Sequence, residues 1–218
     1  MKLYWGSGSP YAWRAMLGLV FKGIEFESKL MTFSAGDHKT PEFLALNPRG
    51  KVPVLVDDDT VVSESLAILS YLDRKHPEPP LFGTTPREHA TIWQLISEHE
   101  SYMAQPGSRF AGPIYFGKVQ EKVEQITEAA KDLHRELAGI EARLSGSPYL
   151  VGDAVSAADA VYYPSLQQLL RAGSKPEVRD LDLGFTTFDD RYPNLAAWKT
   201  RIDALPDVDS TYPPHWRS

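Results

Sequence analysis

Hydrophobic and polar residues change their period several times within the first eighty positions, and that alternation is the first clue to the fold. Lys2 to Trp5 reads as a short apolar strand, Pro10 to Lys22 as a helix and Glu25 to Met31 as a second strand, a compact β-α-β unit. A polar stretch with Gly36 and Asp37 leads to a short helical piece, Pro41 to Leu46. Two strand runs follow, Val52 to Val56 and Thr60 to Val62, with Asp57, Asp58 and Asp59 as the turn between them. Leu66, Leu69 and Leu72 then recur on one side of a helix from about Glu64 to Lys75, and Pro77, Glu78, Pro79 and Pro80 forbid its continuation.

From Pro86 onward the period is helical. Val119, Val123, Ile126, Ala130, Leu133, Leu137, Ile140 and Leu144 alternate in steps of four and three, as the buried stripe of one long helix does. Further helices are predicted over Pro86 to Gln105, Ser156 to Arg171 and Asn194 to Leu205. Two domains follow, an α/β unit at 1–80 and an all-α unit at 81–218, with the proline cluster as boundary. Ser156 followed three residues later by Asp159 reads as a capping box that starts a helix, and folding alone explains it.

Composition narrows the chemistry. The chain has 218 residues, 42% of them hydrophobic, enough to build proper cores. A formal charge of −6 opposes a nucleic-acid partner, because phosphate binding relies on clustered Lys and Arg. Neither a signal-peptide pattern nor a stretch long enough to cross a membrane is present, so a cytoplasmic protein with no membrane partner is expected. Cysteine is absent, which removes thiolate metal sites and every mechanism with a protein thiol as nucleophile. Any sulfur chemistry must therefore come from a substrate. The six histidines show no ligand spacing, so no metal is expected.

Three constellations carry candidate chemistry. Gly6, Ser7, Gly8, Ser9 and Pro10 run from a strand into a helix start, which turns backbone N–H groups toward an anion. A dinucleotide fingerprint fails because Tyr11 stands where its third glycine belongs, and no lysine follows at P-loop spacing. Ser9 before Pro10 is also an ordinary N-cap, which is what most serines in that setting are. In Asn47 to Leu55, Pro53 enters a β-branched run. A cis Val52–Pro53 bond would leave the Val52 N–H and C=O free for an extended peptide ligand, and an ordinary edge strand is the alternative. Glu64 and Ser65 sit at a strand-to-helix junction suited to an amino acid head group, although read alone they are helix-start residues.

Together, Ser9-Pro10-Tyr11-Ala12-Trp13-Arg14, Lys51-Val52-Pro53 and Glu64-Ser65 resemble the cytosolic glutathione transferase family in order and spacing, in its serine-type, bacterial-like form. The resemblance covers nearly the whole chain and implies a thioredoxin-like N-terminal domain that binds glutathione, followed by an all-helical domain. It implies that Ser9 is the catalytic serine, with Ser7 a weaker candidate and Arg14 acting on the field or pairing with Glu64. It further implies that Glu64 and Ser65 hold the γ-glutamyl end, that Val52 beside Pro53 pairs with the cysteinyl backbone, and that Lys51 with His38 meets the glycine carboxylate. An exposed loop histidine is the alternative for His38. The electrophile site is expected between the domains, walled by Tyr11, Trp13, Tyr102, Gln105, Arg109 and Tyr115 and closed by Trp216; taken singly, these aromatics read as packing. Zeta-class isomerases carry a Ser-Ser-Cys type motif that this chain lacks, which argues against that role.

A free thiol with a pKa of about 8.5 is only a few per cent ionised at neutral pH, and a shift of about two units requires roughly 2.7 kcal/mol. A charge-assisted bond from a serine hydroxyl contributes about 1.5 to 3 kcal/mol, and a helix start about 0.3 to 1 more. The resemblance implies a homodimeric detoxifying enzyme that conjugates glutathione, its co-substrate, to small hydrophobic electrophiles. A glutathione-dependent peroxidase and a non-catalytic module of the same fold are the alternatives. Glu98 or Glu100 could reach across a dimer, though surface carboxylates are the ordinary reading of that stretch.

Overall fold

The computed structural model describes residues 1–217 and divides into two compact units, Met1–Thr84 joined by the chain from Ala204 onward, and Thr85–Asp203. The expected division at residue 80 therefore falls a few residues later, and the C-terminal segment belongs with the first unit rather than the second.

In the first unit, β1 (Lys2–Trp5), β2 (Glu27–Leu30), β3 (Val54–Asp57) and β4 (Thr60–Ser63) form one mixed sheet in the order β2-β1-β3-β4. β1 runs parallel to β2 and antiparallel to β3, and β3 is antiparallel to β4, with Leu3 opposite Leu55 and Leu55 opposite Val62. This is the expected thioredoxin-like arrangement. Helices α1 (Pro10–Phe21), α2 (Pro41–Leu46) and α3 (Ser65–Lys75) accompany the sheet. Leu17, Ile68, Leu69 and Leu72 are buried completely with Leu3 and Leu55. Gly18 is what lets α1 and α3 approach, since a Cβ there would lie 2.3 Å from Leu69 Cδ2. Lys22, its side chain inaccessible, pairs with Asp73 at 3.1 Å and donates to the Pro79 carbonyl at 2.5 Å. Asp73 also accepts the Leu81 N–H at 2.7 Å, so one ion pair anchors the proline-rich linker.

Asp57, at the end of β3, is buried and accepts from Tyr71 (2.6 Å) and Lys75 of α3. The Lys75 ammonium, helped by the Tyr71 hydroxyl, holds its carboxyl below the ordinary value of 3.8. A carboxyl depressed in the folded state stabilises the fold above its unfolded value and loses that contribution as pH falls through the folded one. Stability measured by denaturant unfolding should thus decline below about pH 4, and Asp57→Asn should lower stability at neutral pH while flattening that decline.

The second unit is helical: α4 (Pro86–Glu98), α5 (Ala104–Tyr115), α6 (Val123–Leu144), α7 (Ala157–Gly173), α8 (Phe188–Arg191) and α9 (Pro193–Asp203). Thr85 and Glu88 close a capping box at the start of α4. The apolar stripe read from the sequence is buried on α6 from Ile126 to Leu144, while Val119 is buried ahead of the helix. The predicted Pro86 to Gln105 helix is interrupted by a π-helical turn at His99–Met103 and continues as α5 to Tyr115 despite Pro113. Pro113 and two glycines obscure that extension in the sequence. At α7, the reach-back half of the expected capping box is present, with Asp159 accepting from Ser156 N and Oγ, both at 2.8 Å. Burial pushes the Asp159 carboxyl up, against the pull of its donors Trp198, Leu150 and Ser156. Among the described residues no helix is long and apolar enough to cross a membrane.

Candidate functional site

Ser9 caps α1 from an extended backbone (φ −78, ψ 115), and its Oγ accepts the Ala12 N–H at 3.3 Å. Gly8 supplies the left-handed turn ahead of it (φ 82), closed by the Ser9 N–H on the Gly6 carbonyl at 3.1 Å. Ser9 is half-buried, and a hydroxyl that accepts for the cap still has its own proton to donate. Arg14 is 1% exposed, which excludes a surface role, and its guanidinium carbon lies 4.7 Å over the Tyr11 ring.

The second constellation has the special geometry that proline demanded. Val52–Pro53 is cis, and the strand begins only at Val54, so Val52 stands ahead of the ladder rather than inside it. The loop before it is built by Asn47, a residue given no role in the sequence reading. Buried, Asn47 donates its Nδ2 to the Lys51 carbonyl at 2.8 Å and accepts the Arg49 N–H on Oδ1 at 3.1 Å. Its place between a helix end and a proline was the available signal. Gly50 (φ 59) brings this loop against the turn carrying His38, because a Cβ there would meet the His38 carbonyl at 2.9 Å. Lys51 and His38 thus come from neighbouring backbone. His38 is half-buried, edge-on to Phe33 at 5.1 Å, and its Nδ1 is buried without a hydrogen-bond partner among the described residues.

The third constellation departs from an ordinary helix start. Glu64 stands at the N-cap of α3 with φ 73 and ψ 120, and its side chain makes no capping bond. A non-glycine residue in that conformation costs about 1–3 kcal/mol. The carboxylate is exposed, Ser65 beside it is buried, and the N-cap side chain leaves the helix start uncapped.

The residues assigned to an electrophile site differ in accessibility. In the first unit Tyr11 is 44% exposed, whereas Trp13 (3%) and Trp216 (8%) are core. Trp13 donates its Nε1 to Thr211 Oγ1 at 2.6 Å and packs edge-on to Tyr212 (5.5 Å) and Trp216 (5.7 Å). Packing therefore accounts for Trp13. In the second unit Tyr102, in the π turn, is 58% exposed and Gln105 is exposed. Arg109 lies 3.8 Å from Asp132, and the Tyr115 hydroxyl donates to the Gln168 carbonyl at 3.1 Å. Sequence reasoning also missed His215, whose Nδ1 lies 2.6 Å from Ser7 Oγ across 208 positions of chain. No local pattern announces such a pair.

Two family models match, "Glutathione S-transferase, N-terminal domain" over residues 8–75 and "Glutathione S-transferase, C-terminal domain" over residues 123–201. Glutathione S-transferase A of Pleuronectes platessa is 32% identical over 99% of this chain and 92% of its own. A solved glutathione S-transferase from the Antarctic clam Laternula elliptica superposes with a TM-score of 0.84 at 31% identity, covering 100% of this chain and 94% of that one. Another, glutathione S-transferase-I bound with lactoylglutathione, has a TM-score of 0.79 at 27% identity over 96% and 97% of the two chains. With an N-terminal and a C-terminal model matched and a relative 32% identical over 99% of this chain, the chain belongs to the glutathione S-transferase family.

Proposed function

We propose that this protein binds glutathione on its first unit, ionises the thiol, and conjugates the thiolate to small hydrophobic electrophiles. The observation that carries the reading is Glu64, held at positive φ with its carboxylate withheld from the cap it adjoins. Backbone strain persists where the surrounding structure imposes it, typically at ligand clamps. An exposed carboxylate beside a buried serine at an uncapped helix start offers an acceptor for the γ-glutamyl amine and N–H donors for its carboxylate. Val52, ahead of the ladder, pairs with the cysteinyl backbone; Lys51 supplies charge for the glycine carboxylate, and the buried Nδ1 of His38 gains a partner there.

Ser9 donates its hydroxyl proton to the sulfur, and the first turn of α1 adds its dipole. On the first unit the accessible Tyr11 side chain meets the electrophile; on the second, Tyr102, Gln105 and Arg109 are the accessible candidates. The working form is a cytoplasmic homodimer acting in detoxification. Glutathione added to the protein at pH 7 should produce thiolate ultraviolet absorbance, and an aryl halide should then be converted to its glutathione adduct. Turnover of an organic hydroperoxide in place of the aryl halide would assign a peroxidase. Thiolate without turnover of either would leave a holding module, and absence of binding would overturn the reading.

A further inference from the structure

The C-terminal segment does more than close the first unit. Trp13, Tyr212 and Trp216 form a closed aromatic triangle, with ring centroids 5.5, 5.7 and 5.8 Å apart and each pair edge-on. The Trp13–Thr211 hydrogen bond fastens the same segment to α1. Arg217 ties the tail to itself, 2.9 Å from Asp209 and stacked over Tyr212 at 5.2 Å. The outcome is that His215 is set on the turn ahead of Ser9. Its Nδ1 is 2.6 Å from Ser7 Oγ, and a Cβ on Gly8 would lie 3.0 Å from its Cε1, so the ring packs closely on that turn.

We propose that Ser7 and His215 relay the proton off the glutathione thiol, with Ser7 touching the sulfur and His215 acting through it. The inference rests on the glutathione reading above. In the neutral ring protonated on Nε2, Nδ1 accepts the Ser7 hydroxyl proton. When the thiol S–H bond breaks, its proton passes to Ser7 Oγ while the original Ser7 proton passes to Nδ1. The products are a thiolate, a re-formed serine hydroxyl and an imidazolium, with charge and atoms conserved. The ring is exposed, so the proton then leaves to solvent. Ser9 keeps a separate task, donating to the thiolate once it has formed. Of the charged groups on the elements that meet here, Asp209 and Arg217 pair with each other and Arg14 lies over Tyr11.

The test compares His215→Gln and His215→Ala with the wild type. Gln keeps a hydrogen-bond acceptor for Ser7 but takes no proton. Both variants should retain the wild-type melting temperature and KM for glutathione and lose about 100-fold in kcat at neutral pH. The deficit should shrink as pH rises, because hydroxide then takes the thiol proton directly, and added imidazole should restore much of the activity of His215→Ala. A His215→Gln variant as active as the wild type, or a deficit constant with pH and unmoved by imidazole, would overturn the relay while leaving the glutathione reading intact. A wild type that forms no thiolate at any pH below that of free glutathione overturns both.

Discussion

Ser9→Ala should still bind glutathione but leave its thiol protonated at neutral pH, with kcat/KM toward an aryl halide down by about 10- to 150-fold. That range corresponds to the roughly 1.5–3 kcal/mol of one charge-assisted hydrogen bond. The thiolate is a soft, poorly hydrated anion, and in the proposed geometry the half-buried Ser9 hydroxyl donates to it from the cap of α1. Ser9 has a second job, because its Oγ accepts the Ala12 N–H, and removing an N-cap costs about 1 kcal/mol of stability. Ser9→Gly separates the two effects, since glycine at an N-cap costs only a few tenths of a kcal/mol and also lacks the hydroxyl. Both variants should lose the thiolate absorbance, and only Ser9→Ala should melt noticeably lower. A thiolate that survives both substitutions would move the donor role to Ser7, Arg14 or the helix start.

The largest effect on stability is expected at Asp159, in the second unit. It is wholly buried and collects the Trp198 Nε1–H at 2.8 Å, the Leu150 N–H at 3.1 Å and both donors of Ser156. One carboxyl thereby joins the start of α7 to α9 and to the loop before it. In Asp159→Ala those donors stay buried with nothing to accept them, each at about 1–3 kcal/mol before relaxation, so a net loss of about 3–5 kcal/mol follows. Against a total stability of about 5–15 kcal/mol that is a drop of about 6–20 °C in melting temperature. Asp159→Asn should be intermediate, because its amide presents a donor where Ser156 also donates. At a temperature where the variant stays folded, thiolate formation should be unchanged. A stable Asp159→Ala protein with lost thiolate would instead make the residue part of the chemistry.

Much of the first unit was legible in the sequence because its signals are local. Ser9-Pro10 sets a cap and a first helical position, Pro53 inside a β-branched run requires a special strand entry, and the leucines of α3 recur on one face. The long apolar stripe from Ile126 to Leu144 declares α6 for the same reason. Glu64 was found as a residue but not as a conformation, since nothing in Ser63-Glu64-Ser65 separates a capping glutamate from one forced to positive φ. The π turn at His99–Met103 and the continuation of α5 through Pro113 were equally hidden, because tertiary packing overrode the local preference.

By itself, then, the sequence determined the strands and most of the helices, the absence of any protein thiol, and the serine, lysine and glutamate positions that carry the family's pattern. The tertiary structure decided what those positions adjoin. Asn47 shapes the Lys51 loop, His38 reaches Gly50, Trp13 is given to packing, and the tail from Ala204 returns to set His215 on Ser7. Such contacts join residues up to 208 positions apart, where neither period nor spacing along the chain carries any record of the pairing.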